Sequence, residues 1–143
     1  MSTQVTTSIE IDAPPQAVWD VVMDPTRLGD WVTIHRGLGK HDADHMEQSL
    51  HIRGVTFHVK WELAEARKPR VAVWEGRGPA RSKAHTAYRL TALDGGRTRF
   101  DYENDFKAPL GPLGAVASRA LVGGIPEREA NASLKRLKAI LEG

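Results

Sequence analysis

The chain contains no cysteine, which removes disulfides, a thiol nucleophile and thiolate metal ligands from consideration. No apolar run approaches the roughly 18 residues of a membrane helix, and the opening MSTQVTTS lacks the charged-then-apolar signature of a secretory signal. A cytoplasmic location without membrane contact is the expectation. Also missing is a Gly-x-Ser-x-Gly elbow, and no serine has a marked setting. The GGRT at 95–98 is too short for a phosphate-cradling loop and lacks its lysine, so nucleotide hydrolysis is not expected. Charge of one sign is absent too: 20 Lys and Arg stand against 18 Asp and Glu, for a net +2.

Basic residues do gather between Arg67 and Arg99 (Lys68, Arg70, Arg77, Arg81, Lys83, Arg89 and Arg97 among them), a possible footprint for nucleic acid. Acids are interspersed at Glu62, Glu65, Glu75, Asp101, Glu103 and Asp105, the pattern of solvated strand faces. Nucleic-acid binding is therefore not the leading reading. KHDADH brings His41, Asp42, Asp44 and His45 close together, but in a turn between strands, where such residues favour solvent. No metal site and no cofactor are expected.

At 143 residues the chain is expected to form one domain, 1–143, able to bury a sizeable core. Val5, Thr7, Ile9 and Ile11 alternate with polar or small residues, which predicts a half-buried strand. Asp12 is placed to cap a helix whose first turn holds Pro14 and Pro15, with Ala17, Val18, Val21 and Val22 at helical spacing. Asp24-Pro25 ends that helix, and TRLGDW predicts a second short one. Then strands dominate. Met46, Gln48, Leu50 and Ile52 share a face, and Val55, Phe57, Val59, Trp61 and Leu63 oppose Thr56, His58, Lys60 and Glu62. So strict a split means one wet and one buried face, hence an antiparallel sheet.

Lys68-Pro69 marks a turn, and residues 70–78, with Trp74, form the next strand. Asp94-Gly95-Gly96 reverses a hairpin between strands 82–93 and 97–107, the latter turning Thr98, Phe100, Tyr102, Asn104 and Phe106 inward. After the APLGPLG loop, residues 113–121 fit a helix that Gly123, Gly124 and Pro126 interrupt. A final helix follows, striped by Ala130, Leu134, Leu137 and Leu141. Seventeen residues from 126 to 142 span about 25 Å at 1.5 Å each, and six or seven strands about 24–29 Å at 4.8 Å each. The fold expected is α+β: a curved antiparallel sheet of six to seven strands wrapped around a long C-terminal helix, with two short helices after the first strand.

This order resembles the helix-grip fold of the SRPBCC (START/Bet v 1-like) superfamily over essentially the whole chain. The resemblance is carried by IDAPPQAVWDVVMDPTRLGDW at 11–31, Gly95-Gly96-Arg97-Thr98, GPLG at 111–114 and SLKRLKAILE at 133–142. Together they look like the polyketide cyclase/dehydrase branch, whose members hold apolar ligands between sheet and helix. Trp31-Val32-Thr33-Ile34-His35-Arg36, with Arg53-Gly54 and Trp61, is similar to actinobacterial members described as toxins of toxin–antitoxin pairs.

The candidate ligand-binding residues are Trp31, Gln48, Phe57, Trp61, Trp74, Thr86, Tyr88, Phe100, Tyr102, Asn104 and Phe106. Core packing accounts for each aromatic taken alone. As a set, inward Gln48, Asn104 and two tyrosines are costly in a dry core unless water or a ligand satisfies them. His35 is the one catalytic candidate, a general acid/base by its ordinary pKa, with a hydrogen-bonded strand residue as the plainer reading. Three functions stay open: binding of a small apolar (aromatic, polyketide-like or lipid-like) molecule, polyketide cyclase/aromatase chemistry with proton movement by His35, Tyr88 or Tyr102, and a toxin acting through an antitoxin-like protein partner.

Overall fold

In the computed structural model, which describes residues 2–52, 54–107 and 125–143, seven strands form one sheet in the order β1-β7-β6-β5-β4-β3-β2. The strands are β1 (Ser2–Ile11), β2 (His35–His41), β3 (His45–Ile52), β4 (Val55–Arg67), β5 (Val71–Arg77), β6 (Lys83–Leu93) and β7 (Arg97–Lys107). Every neighbouring pair is antiparallel. Between β1 and β2 the chain forms α1 (Pro15–Val22), a 3-10 turn (Pro25–Arg27) and α2 (Leu28–Trp31). The long helix α3 (Ile125–Glu142) lies against β1 and α2. The curved sheet gripping a long C-terminal helix is as expected, and the sheet has seven strands among the described residues.

The two-residue period decides which face each strand buries. Along β4, Phe57, Val59 and Trp61 are buried while Thr56, His58, Lys60 and Glu62 are exposed. A bulge between Leu63 and Glu65 shifts the β4–β5 register near the strand's end. The Asp94-Gly95-Gly96 turn holds both glycines at positive φ (+79° and +75°), which a residue with a Cβ disfavours.

Asp12 does not cap α1. The helix begins beyond it, with Pro14 at the N-cap and Pro15 following, and no side chain caps it. Proline at the first turn has no N–H to satisfy, so the cap has less to do. Asp12 instead donates its backbone N–H to Glu142 Oε2 at 2.8 Å, tying the end of α3 to the exit of β1. Lys138 reinforces that tie, donating to Glu142 at 2.6 Å and to the Glu10 carbonyl at 2.8 Å. Asp24 does cap the 3-10 turn, accepting from the Thr26 N–H at 3.0 Å.

The stripe on α3 buries Ala130, Leu134 and Leu137. The helix expected over 113–121 and its glycine–proline break lie outside the described residues. Among the described residues, no helix is long and apolar enough to cross a membrane, and no cluster of His, Asp or Glu is arranged to hold a metal ion.

Candidate functional site

Two adjoining lobes lie between the inner sheet face and the helices. The first, about 60 Å³, sits under α3 and is walled by aliphatic side chains of β1 and the β2–β4 edge (Val5, Ile34, Leu50, Ile52 and Val59) with Trp61, Tyr102, Asn104 and Phe106. Ala130, Glu129 and Ser133 of α3 close it. The second, about 40 Å³, shares Val32, Ile34, Leu50, Trp61, Tyr102 and Asn104 with the first. Beyond them it reaches Leu28, Met46, Gln48, Trp74, Thr86 and Tyr88. The first lobe is mainly apolar, and the second gathers the polar groups.

Three hydrogen-bonded groups fix the geometry at one end. The Trp61 indole N–H donates to Gln48 Oε1 at 2.9 Å, and Gln48 Nε2 lies 2.9 Å from His35 Nδ1. Indole nitrogen can only donate, so the Gln48 amide can stand only one way round. Its NH₂ therefore faces Nδ1, which must be an unprotonated acceptor, and the His35 proton resides on Nε2. Burial acts in the same direction, holding the imidazole below its usual value near 6.5. A charged ring would set N–H against N–H. His35 is thus held neutral as a donor through Nε2, with its Cδ2 edge beside Gly29 of α2.

Tyr88 and Tyr102 stack at a centroid distance of 6.0 Å. Burial pushes both phenols above their ordinary range, with the neighbouring Tyr102 a second cause for Tyr88. Both therefore remain un-ionised hydroxyls, each carrying a proton that can be donated. Asn104 Nδ2 donates to the Tyr102 oxygen at 3.0 Å, which leaves the Tyr102 O–H free to donate. A third polar group joins α3 to the chain entering β2. There Thr33 N–H donates to Ser133 Oγ at 3.0 Å, Ser133 donates to the Glu129 carbonyl at 2.9 Å, and the Thr33 hydroxyl donates to the Glu129 carboxylate.

Of the residues nominated from sequence, Gln48, Trp61, Trp74, Thr86, Tyr88, Tyr102, Asn104 and Phe106 stand around the lobes. Trp31, Phe57 and Phe100 are buried away from the lining. Trp31 and Phe100 meet edge-on at 6.3 Å and both pack on Tyr88, while Phe57 packs edge-on against Phe106 at 5.5 Å. His35 touches the lining through Gln48 without belonging to it. Glu129 and Ser133 were not foreseen. Their signal was a spacing of four on the helix, one place before Ala130 and Leu134 of the apolar stripe.

A seven-stranded sheet gripping a terminal helix over an aromatic cavity defines a helix-grip protein. The chain belongs to the polyketide cyclase/dehydrase and lipid transport family, whose model matches residues 2–142. An uncharacterized protein of Mycobacterium tuberculosis, Rv1546, is 27% identical over 125 residues, covering 82% of this chain and 87% of the relative. The M. tuberculosis toxin Rv0910 is 25% identical over 127 residues, covering 84% and 88%. Among solved structures, the ZhuI aromatase/cyclase from Streptomyces sp. R1128 superposes with a TM-score of 0.75 at 18% identity, covering 99% of this chain and 94% of that one.

Proposed function

We propose that residues 1–143 act as one unit that encloses a small, largely apolar molecule bearing a carbonyl or hydroxyl group, aromatic, polyketide-like or lipid-like, between the sheet and α3. The observation that carries this reading is the division of labour between the lobes. An aliphatic and aromatic pocket supplies burial, and Gln48, Thr86, Tyr88, Tyr102 and Asn104 supply placed polar groups in the adjoining lobe. The ligand-contacting residues are those eight nominated side chains together with Glu129 and Ser133. Lobes of about 60 and 40 Å³ are smaller than the roughly 150 Å³ cavity that admits benzene. Binding therefore requires side chains or α3 to give way, and part of the gross binding energy is spent on that opening.

Thermal unfolding against fatty acids, flavonoids, aromatic polyketides and sterols tests the proposal. A ligand at 100 times its dissociation constant adds about 2.7 kcal/mol, several degrees for a chain of this length. Trp61→Ala and Tyr102→Ala are expected to weaken binding while the domain stays folded. A flat panel, or unchanged binding by both variants, contradicts it.

Cyclase or aromatase chemistry is the second reading, favoured by the neutral His35 held through Gln48 and by two un-ionised phenols beside the polar lobe. In it a polyketone is oriented by the tyrosines and His35 moves a proton through Nε2. His35→Ala then loses turnover and retains binding, and equal turnover removes His35 from the mechanism. The toxin Rv0910 motivates a third reading, action through an antitoxin-like protein partner. Induced expression slowing growth in a permissive host supports it, and unimpeded growth opposes it.

A further inference from the structure

The outward face of β4–β7 carries two parallel rows of charge. Register pairs Lys60 with Arg77, Arg77 with Lys83, and Lys83 with Lys107, so four cations stand side by side on four adjacent strands. All four are exposed. The next row on the same face, two residues along each strand and about 6.8 Å away, runs Glu62, Glu75, His85 and Asp105. Like charges directly opposite one another destabilise a sheet. Elsewhere on this face charges two apart pair within their own strand, as Arg67 does with Glu65 (2.9 Å) and Arg99 with Asp101 (3.1 Å). Among the described residues, Lys60, Arg77, Lys83 and Lys107 make no such pair, although Glu62, Glu75 and Asp105 stand at that same spacing.

The two rows complement each other under one operation. A two-fold axis lying in the face, parallel to the rows and midway between them, lays each row over the opposite row of a second copy. Lys60 then comes over Glu62, Arg77 over Glu75, and Lys107 over Asp105, each pair occurring twice. Lys83 comes over His85, which is held by Glu75 at 2.7 Å. Lys60 and Lys107, at the ends where a curved face falls away, have the long flexible stems needed to reach. A broad polyanion such as nucleic acid or a lipid surface meets the acidic row as soon as it covers the basic one. We propose that this face is a self-complementary dimer interface, held by a second copy of the chain through these crossed charges. The proposal is independent of the cavity, which opens on the other face of the sheet.

Sedimentation of the full chain over a range of concentrations tests it. A dimer is expected at about 25 mM salt, with a dissociation constant at least about tenfold weaker at 500 mM. Arg77→Glu alone and Glu75→Arg alone each abolish it, and the double swap Glu75→Arg/Arg77→Glu restores it, because both crossed pairs reform. Lys60→Glu with Glu62→Lys is a second swap on the next strand, so the test survives a variant that fails to fold. A chain that stays monomeric at low salt overturns the proposal, whether or not it binds an acidic peptide or an oligonucleotide. A dimer indifferent to the single reversals, or one the double swaps do not restore, overturns it too.

Discussion

The two faces of β4–β7 share one backbone and obey different rules. On the inner face Trp61 of β4 is tied to Gln48 and His35 on the neighbouring β3 and β2, and Asn104 is tied to Tyr102 on β7, because leaving one partner unpaired there costs about 1–3 kcal/mol. Among the described residues the buried Trp31 indole N–H of α2 is an exception without a partner. On the outer face Lys60, Arg77, Lys83 and Lys107 point to solvent, which makes ionic partners optional. Inside, physics leaves few choices, so the pattern reports packing and cavity. Outside, water tolerates many patterns, and an in-register row of like charge reports something beyond the fold.

The largest effect separating the faces is in the core. Phe100, fully buried against Trp31 and Tyr88, is expected to cost about 3–5 kcal/mol as Phe100→Ala, read by urea denaturation. A loss below 1 kcal/mol contradicts the packing described. Next comes Gly76, where an added Cβ would sit 2.8 Å from both Trp61 Cε3 and Val59 Cγ1. Gly76→Ala is expected to cost about 1–3 kcal/mol and, by displacing the indole that orients Gln48, to alter the His35 environment in NMR spectra.

Through Gln48 and His35 the inner face also responds to pH. His35 is held below its usual 6.5, so on acidification the unfolded chain takes up the proton first. The stability it contributes is whole above about pH 6.5 and is lost as the pH falls from there through the ring's own lower value. NMR titration is expected to place His35 below 6.5. Gln48→Glu puts a carboxylate oxygen opposite Nδ1, favours the proton there and moves the titration upward. A ring that titrates at or above 6.5 in the parent rules out the orientation argued for Gln48. The smallest effect belongs outside: Lys83→Ala is expected to change monomer stability by no more than about 0.5 kcal/mol.

The strand faces were legible because β4 alternates without exception from Thr56 to Glu62, and a two-residue period admits only one assignment of in and out. The inward set was legible for the same reason, but not which members bound empty space. Trp31 and Phe100 sit where α2 packs onto the sheet, while Trp61 and Tyr102 sit where α3 stands off it, and that difference depends on sheet curvature rather than on either residue's neighbours in sequence. Asp12 misled because its type and position suit a cap, whereas the helix entry is set by Pro14 and Pro15. Glu129 carried no signal of its own, since an acid near the start of a helix is ordinary on dipole grounds.

Filling the first lobe decides whether a ligand is held between the sheet and α3. Ala84 of β6 is buried in its wall, and Ala84→Val adds two methyl groups there. The variant is predicted to be more stable than the parent by about 0.5–2 kcal/mol and to lose the thermal shift produced by whichever compound stabilises the parent. A variant that keeps the full ligand-induced shift contradicts the claim and places binding elsewhere on the molecule.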